Sequence, residues 1–185
     1  MEQKDYKLEI VGLLLQDRNH IRGLAKVLAT NQMMVSRRMK ELSKGNAVDF
    51  KQEGKNKSYF LKKTTETRAY IFMFENYRLL QAVNAYPSLR RAIEKIQQDG
   101  RIRLAILFGS YAKGTANKES DIDIYLDIQD RELKREIALI DSRLSIKIGM
   151  YNQESPLIRE LEKNHVIIKG VEEFYEKSKF FGQSF

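Results

Sequence analysis

Cysteine is absent from the 185 residues, which excludes a disulfide framework and any thiolate metal site. Histidine is scarce: only His20 and His165 occur, neither with a partner at metal-ligand or triad spacing, so both read as structural or surface residues. No apolar run approaches the length of a membrane span, and the opening MEQKDYKLEI lacks the apolar core of a secretion signal. A cytoplasmic protein with no membrane partner is therefore expected. Internal repeats and low-complexity tracts are missing too, while the length suits one large domain or two small ones.

The charge that is present is unevenly spread. The chain carries a net +8, yet residues 1–64 hold 14 Lys and Arg against 7 Asp and Glu, whereas the remainder holds 19 against 18. Such a basic block points to a polyanion partner, with solubility as the plainer alternative. Within it Leu8, Val11, Gly12 and Leu15, and then Ile21, Leu24, Ala25 and Leu28, recur at amphipathic-helix spacing. Asn19 and Thr30 stand where N-caps are expected. A third helix over about 31–43 turns Val35, Met39 and Leu42 inward, which leaves Met33, Ser36, Arg37 and Lys40 on a polar and basic face able to meet base edges and phosphates. Ala47–Phe50 and Ser58–Lys62 read as short strands joined by a loop over 51–57, whose tip carries Lys55 and Lys57 around Gly54.

Three helices and a basic hairpin resemble a winged helix-turn-helix of the MarR or ArsR kind over residues 3–62. The resemblance implies duplex DNA as partner, contacted by Met33, Ser36, Arg37, Lys40, Lys55 and Lys57. A protein-binding winged helix is the alternative.

Beyond Thr64 the chain continues without a flexible linker. Thr64 and Thr65 can cap a helix reaching about Ala85, and Pro87 can restart one. Tyr70, Phe74, Tyr77 and Leu80 make one apolar stripe and Phe72, Leu79 and Val83 another, so this helix needs two partners, one of which could be the same helix of a second subunit. A homodimer is expected on that ground, with full burial inside one subunit as the alternative. Leu89, Ala92, Ile93 and Ile96 then give the following helix an apolar face for packing on a sheet.

The densest chemistry lies in IRLAILFGSYAKGTANKESDIDIYLD, residues 102–127. The run Ile102–Phe108 has the content of a buried strand and breaks at Gly109-Ser110. A second strand expected from Asp121 puts Asp121 and Asp123 on one face, with Ile122, Ile124 and Leu126 on the other. Two carboxylates at a strand's start require a cation or solvent. Mg²⁺ suits them, since it takes one or two carboxylates plus phosphate oxygens, and Gly109-Ser110 at a strand-to-helix turn offers close backbone approach, a hydroxyl and amides.

Gly109-Ser110, ten residues and Asp121-Ile122-Asp123 match the GS-x10-DxD signature of the polymerase-beta-like nucleotidyltransferases, and Lys113, Gly114, Ser120 and Ile122 suit the minimal (MNT) members. The resemblance covers about residues 87–180. It implies that Asp121 and Asp123 are catalytic and hold Mg²⁺, and that Gly109, Ser110 and Lys113 bind the phosphates of a nucleoside triphosphate, ATP being the expected one. It also implies a third carboxylate on the strand-like segment Leu144–Met150, where the matching parity holds only Ser145, Lys147 and Gly149. Asp141 or Glu154 could substitute from nearby.

These readings add up to an α+β chain: a winged helix-turn-helix over 1–63, a connector helix over 64–86 that could form a dimer interface, and a nucleotidyltransferase domain over 87–185 with a small mixed sheet flanked by helices. Three functions follow. One is Mg²⁺-dependent transfer of a nucleoside monophosphate to a hydroxyl, which the MNT resemblance would place in a self-regulating antitoxin with a HEPN-type toxin partner. Another is a winged-helix regulator with a catalytically degenerate, nucleotide-sensing or dimerising domain. The third, RNA modification, suits the duplex-reading pattern less well.

Overall fold

The computed structural model describes residues 4–17 and 19–182. They form two compact units, Met1–Phe74 and Glu75–Phe185, whose boundary falls inside one helix.

The first unit opens with helix α1 (Tyr6–Gln16), where the Asp5 carboxylate accepts the amides of Lys7 and Leu8 at 2.9 and 3.2 Å. Such a cap satisfies donors that a helix start otherwise leaves open. Helices α2 (Ile21–Val27) and α3 (Gln32–Lys44) follow, and Leu8, Val11, Leu24, Leu28, Val35, Met39 and Leu42 are buried. The caps lie one residue later than expected. Asn31, not Thr30, closes α3 by accepting the Met34 amide at 2.8 Å, and His20 precedes α2. Asn19 is occupied elsewhere, exchanging backbone bonds of 3.2 and 2.9 Å with Tyr59 as an extra strand residue beside the hairpin.

That hairpin is longer than its apolar residues suggest. Strands β1 (Val48–Glu53) and β2 (Asn56–Leu61) pair from Val48↔Leu61 to Glu53↔Asn56. Gly54, at φ +59°, takes the first position of a two-residue turn with Lys55, the position where a tight hairpin demands positive φ. The polar Lys51-Gln52-Glu53 thus belongs to the ladder and not to a loop.

Helix α4 (Thr65–Ala85) begins under Thr64, whose hydroxyl accepts the Thr67 amide at 3.2 Å, while the buried Thr67 hydroxyl donates to Ala47 O at 2.9 Å. In the second unit a 3₁₀ turn at Pro87–Leu89 leads into α5 (Arg90–Gln98). Then come β3 (Ala105–Leu107), α6 (Gly109–Lys113), β4 (Ile122–Leu126), α7 (Arg131–Ala138), β5 (Leu144–Ile148), α8 (Pro156–Lys163), β6 (Val166–Lys169) and α9 (Val171–Lys177). The sheet order is β5-β4-β3-β6, with β4 and β5 parallel and the other pairs antiparallel. One face buries Ile122, Ile124, Leu126 and Ile146 against α5, α7 and the end of α4. Ile106, Tyr125 and Ile167, of the opposite parity, are also buried. The inner strands are covered on both faces, so within β4 a polar side chain reaches solvent only near a strand end, whereas on the edge strand β5 Lys147 is exposed.

A buried polar cluster ties the second half of α4 to the sheet domain. Glu75 is 1% exposed; Tyr175 OH donates to its Oε1 at 2.7 Å, and His165 Nε2 and Arg78 Nη1 lie 3.6 and 3.7 Å from its carboxylate. Burial works against ionisation of Glu75, but the bonds and charges of His165, Arg78 and Tyr175 outweigh it and hold the carboxyl below its ordinary range. A carboxyl shifted downward by folding contributes stability that is full above the unfolded value and lost as pH falls through the folded one. Glu75→Ala should cost about 3–5 kcal/mol of unfolding free energy and Tyr175→Phe about 1 kcal/mol. In urea titrations below pH 4.5, the wild-type stability should fall more steeply than that of Glu75→Gln; parallel slopes would contradict the ionised assignment.

Candidate functional site

The turn from β3 into α6 is pressed against the start of β4. Phe108 N–H donates to Asp123 O at 3.0 Å, and Gly109 has φ +68°. A Cβ built on Gly109 would stand 2.5 Å from Asp123 Oδ2. L-residues rarely adopt that φ, and here a Cβ has no room. The glycine is therefore what lets the backbone of the turn approach the carboxylate. Gly114, also left-handed at φ 72°, closes the short α6, with Thr115 N–H returning to Ser110 O at 3.0 Å.

Asp121 is exposed just ahead of β4, which starts at Ile122 and not at Asp121, and Asp123 is half-buried within it. Gly109, Ser110, Asp121 and Asp123 are thus gathered at one end of the sheet. Lys113 is less closely drawn in, since its Nζ lies 3.8 Å from Glu160 of α8.

The ladder places Ser145 opposite Asp123 and Lys147 opposite Tyr125, as strand parity leads one to expect. Of the two proposed substitutes for a third carboxylate, Asp141 is already engaged and Glu154 is exposed. Asp141 is held by Arg143 through bonds of 3.1 and 2.7 Å from Nε and Nη2, with the Arg143 amide at 2.9 Å, and these contacts hold its carboxyl below the usual range. Glu154 is exposed in the turn before α8, its amide on Asn152 Oδ1 at 2.9 Å. Among the described residues no group of three or more His, Cys, Asp and Glu is assembled as a metal cluster. Two carboxylates fit a hard divalent cation only when phosphate oxygens complete its shell.

Sequence reasoning missed Asp127, which shares the parity of Asp123 but lies at the far end of β4. It accepts the Tyr151 amide at 2.9 Å and faces Lys177 at 3.1 Å. Only its place in the apolar strand signalled that it needed partners.

Residues 91–175 match the family model described as Polymerase beta, Nucleotidyltransferase. This stretch is a nucleotidyltransferase domain of that type. The nucleotidyltransferase domain thus contains the glycine turn, both aspartates and β5. No curated protein matches the chain. Among solved structures, it is similar to the adhesin competence repressor (AdcR) of Streptococcus pyogenes, at 21% identity and a TM-score of 0.39, over 48% of this chain and 66% of that one, just under two thirds of its length. A homodimeric winged helix-turn-helix domain from Mycobacterium bovis, a possible ArsR-family regulator, matches at 19% identity and a TM-score of 0.34, over 43% of this chain and 70% of that one.

In the first unit, Met33, Arg37 and Lys40 are exposed and Ser36 half-exposed on the side of α3 away from Val35, Met39 and Leu42. Arg37 Nε is 3.8 Å from Glu41, which Arg38 grips at 2.9 Å. Lys55 stands in the hairpin turn, whereas Lys57 lies in β2 with its Nζ 3.9 Å from the centre of the Phe50 ring.

The close approach at Gly109 makes a direct prediction. Gly109→Ala should destabilise the domain by more than the ~1 kcal/mol typical of alanine forced into positive φ, because the methyl must also displace Asp123. Thermal unfolding of Gly109→Ala beside Gly54→Ala, which has open space around it, isolates the excess; equal losses would refute the close approach.

Proposed function

We propose that the nucleotidyltransferase domain transfers a nucleoside monophosphate from a nucleoside triphosphate, ATP first among candidates, to a hydroxyl acceptor. The observation that carries this reading is the Asp123 carboxylate held against the bare Cα of Gly109, with Asp121 exposed just ahead of the same strand. The acceptor oxygen would attack the α-phosphorus, the bond from that phosphorus to the pyrophosphate oxygen would break, and the hydroxyl proton would pass to solvent. Positioning and charge neutralisation supply most of what such a displacement needs. Asp121 and Asp123 would hold Mg²⁺ together with the triphosphate, and the cation would offset the negative charge there. The Gly109 turn and Ser110 would position the phosphates, with Lys113 at their margin.

Ser145 opposite Asp123 supports a second reading, in which the domain binds nucleotide without transferring it. Incubating the chain with each radiolabelled triphosphate, Mg²⁺ and lysate separates the two: label on a macromolecule or small acceptor supports transfer, while retained, unreacted nucleotide supports sensing. A HEPN-type toxin is the acceptor that an antitoxin role would require. Asp121→Asn with Asp123→Asn should abolish Mg²⁺-dependent ATP binding and leave duplex binding nearly unchanged, and Ser145→Asp should strengthen Mg²⁺ binding. Equal ATP affinity in wild type and the double variant, with and without Mg²⁺, would end the metal-site reading.

The first unit, with its basic α3 face and hairpin, is proposed to bind duplex DNA, and the exposed Met73 and Leu80 of α4, each 53% exposed, support a homodimer. Arg37→Ala should weaken a selected duplex and relax its sequence preference, a bidentate base contact being worth about 1–3 kcal/mol. Lys55→Ala with Lys57→Ala should weaken all duplexes alike and reduce the salt slope by about one unit for each phosphate left without its lysine. A salt titration that finds weak, salt-independent binding for wild type and variants would make the unit a protein-interaction module.

A further inference from the structure

Strand β5 ends the sheet, and among the described residues no strand pairs with its outer edge. Ile122 N–H donates to Arg143 O at 2.8 Å, which sets the phase of the parallel ladder. The Arg143 carbonyl and the backbone groups of 145 and 147 turn toward β4, while 144, 146 and 148 turn theirs outward. The Leu144 amide is used by Asp141 O at 3.0 Å. The Leu144 carbonyl, both groups of Ile146 and the Ile148 amide remain on the open edge.

We infer that two copies of this chain join their β5 edges antiparallel about Ile146, and that Lys147 of the partner subunit completes each nucleotide site. The strand is complementary to itself in this register. Leu144 meets the partner's Ile148, Ile146 meets the partner's Ile146, and Ser145 meets the partner's Lys147. Lysine thus faces a hydroxyl and not another lysine, which avoids the like-charge opposition that destabilises sheet pairs. Shifting the centre by one residue to Lys147 would put the two lysines directly opposite each other. The apolar parity of the two strands forms one continuous face. Leu139 after α7 and Met150 after β5 are 87% and 65% exposed, large apolar side chains of the kind that association with a second copy can bury.

A lysine on an edge strand ordinarily guards against such pairing. Here the pairing gives it a destination. Ser145 lies beside Asp123 on the same face, so the partner's Lys147 projects on that face from two strand spacings away, roughly 10 Å between backbones, a gap that the lysine and aspartate side chains span from both sides. Where a third carboxylate would stand, the site has a serine, and beyond it a cation from the other subunit, suited to phosphate oxygens of a bound triphosphate. This role for the lysine rests on the nucleotide reading above; the strand pairing does not.

The full chain carrying Ser145→Cys and Lys147→Cys tests the pairing, because the native sequence has no cysteine to interfere. Directly opposed residues of a non-hydrogen-bonded antiparallel pair stand about 4.5 Å apart at Cα, within disulfide reach. Oxidation by glutathione disulfide at low micromolar protein should convert most of the double variant to a covalent dimer on a non-reducing gel. Each single variant, whose cysteines meet only diagonally, should stay largely monomeric. No cross-linking of the double variant, or equal cross-linking of the singles, overturns the pairing. For the lysine, Lys147→Ala and the Asp121→Asn, Asp123→Asn variant should each lose Mg²⁺-dependent ATP binding, and an equimolar mixture should recover about a quarter of the wild-type sites, the share intact in randomly mixed two-fold dimers. No recovery while the wild type binds ATP overturns the shared site. If the wild type itself fails to bind ATP, the nucleotide reading and the lysine's role fall together, and the gel still decides the pairing.

Discussion

The close packing of the bare Cα of Gly109 on the Asp123 carboxylate fixes most of what this domain can do. It requires β3 to end at Leu107, the chain to turn at positive φ and α6 to start at once. Phe108 N–H, donating to Asp123 O, locks the turn to the same residue whose side chain it approaches. Because β4 is covered on both faces, Tyr125, two residues further along it, is 2% exposed. A carboxylate on that face keeps access to solvent and substrate only at the strand's start, and that is where Asp121 and Asp123 lie.

The same burial explains why the missing third acid cannot be replaced casually. A carboxylate added near the pair would need compensation for its desolvation, and the nearby acid that the fold does place at that end of the sheet, Asp141, is neutralised by a bidentate Arg143. A charge so engaged is stabilised in its own pair and is not available to a cation. On the reading proposed above, the paired aspartates and the glycine turn would serve triphosphate binding, while the strand position beside Asp123 holds Ser145 and not an acid, which is why transfer and sensing are both physical outcomes of one such site.

Much of this is legible in the residues. The alternation through Asp121-Ile122-Asp123-Ile124 and Leu144–Ile148 assigns the faces correctly because each strand buries one clean apolar set, and burial enforces register. The glycine turn is legible because few other residues can occupy it. Where sequence and structure differ, the local signals are weaker. The strands of the hairpin run into Lys51-Gln52-Glu53, residues with little strand preference that pair because Gly54 permits a two-residue turn. Asn19 looks like a cap and acts as a strand residue, since its partner Tyr59 is forty positions away in the sequence. The Glu75, His165 and Tyr175 cluster is invisible in the sequence for the same reason: a charged residue in a helix normally reads as exposed, and only the fold brings its partners from α9 and the start of β6.

Distance in sequence also limits what the basic block means. Its excess of Lys and Arg suggests a broad cationic surface, but several of those charges are spoken for within the first unit. Arg38 and Lys7 converge on Glu41 at 2.9 and 3.6 Å, Lys62 donates to Asn46, and Lys57 sits over the Phe50 ring. The cations that project from the α3 face and the hairpin turn are fewer: Arg37, Lys40 and Lys55. Exposed cations also lie elsewhere on the unit, at Arg22, Lys26, Lys44 and Lys51, so the α3 face and the hairpin turn supply only part of the positive field a polyanion would meet. In the duplex complex proposed for this unit, phosphate contacts from those cations would fix register and leave the exposed Met33 and the half-exposed Ser36 to face the bases.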